Sequence, residues 1–150
     1  MATKNPIIMM TTIHSYWAYI VVIVLMYAVM KAILGYTQKK QFTDKDLRIG
    51  LFALIVSHIQ LLIGLAWYFM SPWYKALKSD AGAVMSDTAT RLLAVEHPTV
   101  MILAIVLITI GWSKHKRKIE DVAKFKMFAI FYGIGLLLML SRIPWNHWFS

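Results

Sequence analysis

Four long apolar stretches constrain the fold of this chain more than any other feature. They cover approximately residues 13–34, 47–70, 92–113 and 125–143. About 20 apolar residues are enough for a helix to cross the hydrocarbon core of a bilayer. The stretches lack the period-two alternation of strands in a membrane barrel, the other structure that can span a bilayer. The sequence therefore predicts an all-α integral membrane four-helix bundle, a single domain over residues 1–150.

Composition agrees with a membrane protein and excludes several kinds of chemistry. Apolar residues make up 59% of the chain and charged residues 15%, whereas a soluble domain carries about 25% charged residues. The chain has no cysteine, which excludes disulfides, thiolate metal sites and covalent haem attachment through cysteine. The net charge of +9 reflects basic clusters between apolar stretches, without a nucleic-acid-binding motif. We therefore expect the lipid bilayer as a partner and no nucleic acid.

The distribution of lysine and arginine predicts how the four spans are oriented. The loops that follow spans one and three, with their flanks, hold most of these residues: Lys31, Lys39, Lys40, Lys45, Arg48, Lys114, Lys116, Arg117, Lys118, Lys124 and Lys126. The opposite side holds fewer: Lys4, Lys75, Lys78, Arg91 and Arg142. Basic loops face the cytoplasm, so both termini and the partly helical loop of residues 71–90 are expected on the outer, periplasmic side. The prediction is a multi-pass protein of a bacterial inner (cytoplasmic) membrane.

Polar side chains inside the predicted spans are the first candidates for a functional site, because ionisable groups are costly in a bilayer. They are His14, Ser57, His58, Gln60, Glu96, His97 and Arg142. His14 and Arg142 lie about one turn from a span end, where long side chains also act as interface anchors. His58 lies near the midplane, where one hydrogen bond to a neighbouring helix, like one from Gln60, is a structural alternative to a functional role.

Two stripes of mostly small residues continue inward from histidines in spans one and three. The first consists of His14, Ala18, Val21, Leu25, Ala28 and Ala32, and the second of His97, Met101, Ala104, Ile108, Gly111 and His115. Such stripes either allow close helix packing or leave room for a flat macrocycle held by imidazoles from facing helices. His115 at the end of the second stripe and His147 near the C-terminus are expected to be solvated or interfacial.

Several histidines in an apolar bundle favour haem b, whose iron binds imidazole nitrogen. Zinc would need three or four clustered ligands, and a di-iron site would need acids on several helices. Equal depth favours His14 and His97 as the axial pair, although a tilted or kinked helix would pair His97 with His58 instead. Arg142 and Arg91 are the candidates to bind the haem propionates.

The segment Leu-Leu-Ala-Val-Glu-His-Pro-Thr-Val-Met at residues 92–101 carries a glutamate, a histidine and a proline in a row between apolar residues. Pro98 has no N–H to donate to the carbonyl of Ala94, which favours a kink or a helix turn that begins at the proline. This distortion is expected to aim His97 into the bundle. Adjacent helical residues point about 100° apart, so Glu96 is expected to orient a different neighbour or to relay a proton.

Several motifs resemble one family along nearly the whole chain. They are His-Ser at 14–15, Ser-His-Ile-Gln-Leu-Leu-Ile-Gly-Leu at 57–65, Val-Glu-His at 95–97, Leu-Ile-Thr-Ile-Gly at 107–111 and Arg-Ile-Pro-Trp at 142–145. The chain is similar in these motifs to small four-helix membrane proteins of Bacteroidota named "cytochrome B". The resemblance implies a haem b membrane protein with His14, His58 and His97 as candidate ligands. A more distant likeness, in layout alone, is to the haem-binding membrane type of protoporphyrinogen oxidase.

The function expected from these features is electron transfer by a membrane cytochrome. It would pass electrons between membrane quinol and a periplasmic or membrane partner, alone or as a subunit of a respiratory complex. Glu96 and Gln60 would orient groups or relay protons, and no catalytic residue is assigned, so a stand-alone enzyme is not the first expectation. The alternatives are a structural or assembly subunit without its own redox cofactor and a haem-dependent porphyrin-processing oxidase.

Overall fold

The computed structural model of the chain describes residues 6–148, and within these residues the secondary structure is helical without strands. In chain order the elements are α1 (Pro6–Thr37), α2 (Asp44–Met70), α3 (Pro72–Ser79), α4 (Ala81–Ser86), α5 (Thr88–Arg91), a π-helical segment (Leu92–Glu96), α6 (His97–His115), α7 (Asp121–Arg142) and α8 (Trp145–Trp148). α5, the π-helical segment and α6 follow one another without a break.

Four helical spans in the described part of the chain are long and apolar enough to cross a membrane: Pro6–Thr37, Asp44–Met70, Thr88–His115 and Asp121–Arg142. The prediction of an all-α protein with four long apolar helices is thus confirmed. Most helix ends extend past the predicted apolar stretches, because capped polar turns continue a helix beyond its apolar segment. The orientation of the termini stays a prediction, and Lys4, which contributed to it, lies outside the described residues.

Polar caps define where the helices begin. The Thr43 side chain accepts a hydrogen bond from the backbone N–H of Asp46, whose carboxylate accepts one from the Thr43 N–H, so a capping box starts α2. Ser71 ends α2, and its hydroxyl accepts a hydrogen bond from Tyr74 N–H to start α3. Asp87 caps α5 in the same way, and its hydrogen bonds with Thr90 lower the pKa of the Asp87 carboxyl.

The four long helices form a bundle in which α1 packs against α2 and α7, while α6 packs against the same two helices. α1 and α6 therefore stand diagonally opposite each other. The inner parts of both predicted stripes are buried, namely Val21, Leu25, Ala28, Ala32, Ala104, Ile108 and Gly111. Tyr132 of α7 is 0% exposed, and its hydroxyl donates to the carbonyl of Gly50 in α2 at 2.9 Å. These contacts confirm that the small-residue stripes face the bundle interior.

The expectation that His115 is solvated is wrong, whereas its position near the membrane interface stays a prediction. Its side chain is 3% exposed, and its ring centroid lies 4.6 Å from that of Trp112 and 4.5 Å from that of Phe128. The physical reason is helical periodicity: about 18 residues complete five turns, so His115 shares the inward face of His97. Its lysine-rich sequence neighbours lie on other faces of the helix. His147 lies in α8 and is exposed.

Gly135 brings α6 and α7 into close approach. A Cβ atom at this position would lie 2.9 Å from Ile108 Cγ1 and 3.1 Å from the backbone oxygen of Ala104. We expect Gly135→Ala to destabilise the protein by about 1 kcal/mol, which lowers the melting temperature in detergent by about 3 °C. Gly133→Ala is the matched control, because its nearest neighbour would be Val29 Cγ1 at 3.9 Å. Equal losses in both variants would contradict this account.

Candidate functional site

A π-helical segment and a proline shape the entry of the third span. Leu92–Glu96 is π-helical, and the regular helix α6 begins at His97 with Pro98 in its first turn. The distortion predicted at Pro98 is therefore present. The carbonyl of Ala94, which Pro98 cannot reach with an N–H, accepts a hydrogen bond from the Tyr68 hydroxyl of α2 at 2.8 Å. A neighbouring helix thus supplies the donor that the proline lacks.

His14 of α1 and His97 of α6 meet across the diagonal of the bundle. Their ring centroids are 6.2 Å apart and their ring planes are inclined by 81°. His97 Nδ1 lies 2.8 Å from the carbonyl oxygen of Arg142. A carbonyl only accepts, so Nδ1 carries the proton and the lone pair of Nε2 remains for a ligand. The structure brings together the pair that equal depth favours.

His14 is held by groups from α2. Its ring is nearly parallel to that of Trp67, with centroids 6.1 Å apart and planes inclined by 9°. Gln60 Nε2 donates to the backbone carbonyl of His14 at 2.9 Å. His14 Nδ1 and Gln60 Oε1 are nevertheless buried, and neither has a hydrogen-bond partner among residues 6–148. Buried polar atoms are nearly always paired, so these two unpaired atoms set the α2 side of the site apart from an ordinary packed core.

The absence of a side chain at Gly64 leaves space for the His14 ring. Gly64 was not among the predicted site residues. A Cβ atom at Gly64 would lie 3.0 Å from His14 Cε1, closer than an unstrained carbon contact of about 3.5 Å. Gln60, Gly64 and Trp67 follow the spacing of one helix face. A polar residue, a glycine and a tryptophan thus share one face of the apolar second span. This pattern is the sequence signal for the α2 side of the site.

His58 is separate from the His14–His97 pair. Its Nδ1 lies 2.8 Å from the carbonyl oxygen of Leu54, and its Nε2 lies 3.3 Å from Thr109 Oγ1. Both ring nitrogens therefore have partners, in the manner of the interhelical hydrogen bond considered above. Within the described residues, no group of three or more His, Cys, Asp or Glu side chains is placed to hold a metal ion.

A carboxylate bridges the two arginines predicted to bind propionates. Glu96 Oε1 lies 2.9 Å from Arg91 Nε, and Glu96 Oε2 lies 3.3 Å from Arg142 Nε. The backbone carbonyl of Arg142 also accepts the hydrogen bond from His97 Nδ1. Glu96 therefore contacts a residue that holds His97 in place. These side chains are partly exposed, between 29% and 45%. A guanidinium has five donors. Besides the contacts with Glu96, Arg91 Nη1 donates to the Met85 carbonyl at 2.7 Å and Arg142 Nη1 donates to the Ser141 carbonyl at 2.9 Å, which leaves about three donors on each arginine for another anion.

The site therefore combines two facing imidazoles in an apolar bundle with two arginines and one bridging carboxylate. This donor set suits a group that takes imidazole nitrogen on two sides and carries anionic substituents. No protein-family model matches the chain, and neither a curated protein nor a solved structure matches it at a significant level. The fold and the site define a helical protein with four potential membrane spans and a two-histidine centre.

The Tyr68 hydrogen bond can be tested against Pro98. We expect Tyr68→Phe to cost about 1 kcal/mol of stability, because the Ala94 carbonyl loses a donor. Pro98→Ala restores a backbone N–H that can reach this carbonyl, so the same Tyr68 change should cost less than half as much in that background. A double-mutant cycle on melting temperature measures the coupling. Additive effects would show that the hydroxyl and the proline do not share this carbonyl.

Proposed function

We propose that the chain is a membrane cytochrome that binds haem b between α1 and α6, with His14 and His97 as axial ligands. The observation that carries the proposal is the 6.2 Å separation of the two ring centroids. Metal–imidazole bonds are about 2 Å long, which puts the centres of two rings on a shared metal about 6 Å apart. The resemblance to the cytochrome B proteins implies the same cofactor.

The surrounding residues fit such a group. The Arg142 carbonyl fixes the proton of His97 on Nδ1, the arrangement in which a ligating histidine is held and made more basic. His14 Nδ1 and Gln60 Oε1 are buried polar atoms without a partner among residues 6–148, and His14 Nδ1 lies on the edge of the ring that faces Gly64 of α2. When bound, haem supplies one-electron redox chemistry.

The chain's own residues set the position and the charge of the site. Trp67 covers one face of the His14 ring, and Gly64 leaves room for its edge. Arg91 and Arg142 place two positive charges around Glu96, the residue that precedes His97, and they are the residues that would bind propionates. Glu96 keeps the net local charge at about one positive unit and holds both guanidinium groups in place.

The proposed role is electron transfer between membrane quinol and a periplasmic or membrane partner, alone or within a respiratory complex. The two histidines lie at the end of the bundle opposite the basic loops of residues 38–43 and 116–120. Basic loops face the cytoplasm, so the site would lie in the outer half of a bacterial inner membrane. A partner on the periplasmic side would then exchange electrons over a short distance.

One observation favours the alternative of a cofactor-free structural or assembly subunit. Arg91 and Arg142 are already paired with Glu96, and the two His58 nitrogens lie at 2.8 Å from the Leu54 carbonyl of α2 and at 3.3 Å from the Thr109 hydroxyl of α6. In this alternative the histidines act only as interhelical contacts. It makes a distinct prediction, since such a protein would be purified without any bound tetrapyrrole.

The test is the reduced-minus-oxidised spectrum of protein purified from membranes of cells that make haem. We expect a haem b α band and, by the pyridine haemochrome assay, about one haem per chain for one two-histidine site. Carbon monoxide should not change the reduced spectrum, because His14 and His97 would both hold the iron. A protein without haem or porphyrin would support the subunit alternative, and binding of carbon monoxide together with turnover of a tetrapyrrole would support a porphyrin-processing oxidase.

A further inference from the structure

The end of the bundle opposite the histidines carries a second site. α1 ends in a tight turn in which Lys40 N–H donates to the Gly35 carbonyl at 3.0 Å and Lys39 adopts a left-handed conformation with φ of 50°. This turn folds the chain back beside the last turn of α1. Lys40 and Lys45 are thereby brought to one cavity with Lys31 of α1.

The cavity has a volume of about 190 Å³. A cavity of about 10–15 Å³ is enough for one water molecule, so this one has room for a larger polar group. Besides the three lysines, apolar Leu34 and Phe125 line it. Leu34 is 39% exposed, whereas Phe125 is buried. The cavity therefore offers cations and an apolar wall together.

One acid, Asp46, also lines the cavity, but its oxygens are engaged. Its Oδ2 accepts hydrogen bonds from Thr43 N–H at 3.0 Å and from Thr43 Oγ1 at 2.7 Å, and its Oδ1 lies 4.0 Å from Lys31 Nζ. Lys40 and Lys45 form no ion pair within residues 6–148. Three cations against one anion leave the cavity with an excess of positive charge.

We propose that this cavity binds a phosphate group and that an anionic phospholipid headgroup supplies it. Basic pockets between membrane helices on the cytoplasmic side bind such headgroups. The cavity lies between the C-terminal end of α1 and the N-terminal end of α2, where helices of this length would leave the hydrocarbon core, and the exposed Leu34 adds an apolar surface beside the lysines. Lysine binds phosphate as a point charge, without the fixed geometry that arginine requires. This proposal does not depend on haem.

The experiment is a titration of the purified protein in detergent with dioctanoyl phosphatidylglycerol, followed by native mass spectrometry. We expect one tightly bound lipid per chain and much weaker binding of the phosphatidylcholine analogue. Each lysine near a lipid surface strengthens anionic lipid binding about fivefold, so Lys40→Gln with Lys45→Gln should weaken it about 25-fold. Both positions are exposed, and the helices should remain folded.

Arg117→Gln with Lys118→Gln is the matched control, because it removes the same charge from the other basic loop. We expect this control to weaken phosphatidylglycerol binding less than threefold, as a long-range charge effect alone would. Inorganic phosphate added as a competitor separates the two sources of phosphate. Displacement of the lipid by millimolar phosphate would show that free phosphate is enough to fill the cavity and would contradict a lipid ligand. No displacement would show that the lipid is required. Equal weakening in both double variants, or none in either, would overturn the proposal.

Discussion

His97→Ala and His14→Ala are each expected to lower the haem content of the purified protein at least tenfold, with loss of the α band. Each change removes one of the two imidazoles whose centroids lie 6.2 Å apart. With a single axial ligand, non-covalent haem loses most of its hold on the bundle. The chain has no cysteine to retain the cofactor covalently. The pyridine haemochrome assay on equal amounts of protein measures the loss.

His58→Ala is the matched control for this pair. It removes the same kind of side chain from another apolar span, closer to the midplane, where both His58 nitrogens already have partners in Leu54 and Thr109. Haem content should therefore stay within a factor of two of the unchanged protein, with at most a small loss of stability from the broken interhelical hydrogen bond. If His58→Ala loses haem while His14→Ala retains it, the axial pair is His58 with His97.

Added imidazole separates ligation from a structural role of His97. A small exogenous imidazole can occupy the space that the alanine leaves and restore a nitrogen ligand. We expect imidazole at millimolar concentration, added together with haem, to recover the α band in His97→Ala. A merely structural histidine that packs between helices would give no such recovery, because the free ring restores no covalent link to α6.

The sequence predicts the four spans and the facing pair of histidines because both depend on simple geometry. Apolar length determines which segments can cross a bilayer. The rise of about 1.5 Å per residue then sets the depth of each side chain, which pairs His14 with His97. The buried position of His115 follows from the same periodicity. The lysines next to it in the sequence indicate a solvated position instead, and the two signals conflict.

The bridge from Arg91 to Glu96 could not be predicted from the sequence. In a regular α-helix, residues five apart point about 140° away from each other. The π-helical segment over Leu92–Glu96 changes this phase, because its hydrogen bonds join residues five apart. Arg91 and Glu96 are then neighbours at 2.9 Å. A π-helical turn differs from an α-helical turn by one additional residue. Neither the composition nor the hydrophobic pattern of the span indicates so small a change.

Glu96→Gln is expected to raise the reduction potential of the haem by about 60 mV. The substitution keeps the shape of the side chain but removes the negative charge that lies between Arg91 and Arg142. For a separation of about 12 Å and an effective dielectric constant near 20, a unit charge would contribute about 1.4 kcal/mol, which is about 60 mV for one electron. The reduced iron carries one positive charge fewer, so loss of a nearby anion favours reduction. Potentiometric titration followed at the α band measures the shift.

Asp87→Asn is the control for removal of a charge at the same end of the bundle. Hydrogen bonds with Thr90 hold the pKa of the Asp87 carboxyl below its ordinary value, so it is ionised at neutral pH and the substitution removes a full charge. Asparagine caps a helix about as well as aspartate, and α5 should be retained. Asp87 is exposed, and solvent and salt screen its charge. We expect a shift below about 15 mV for Asp87→Asn, and equal shifts in both variants would contradict a specific role of Glu96 beside His97.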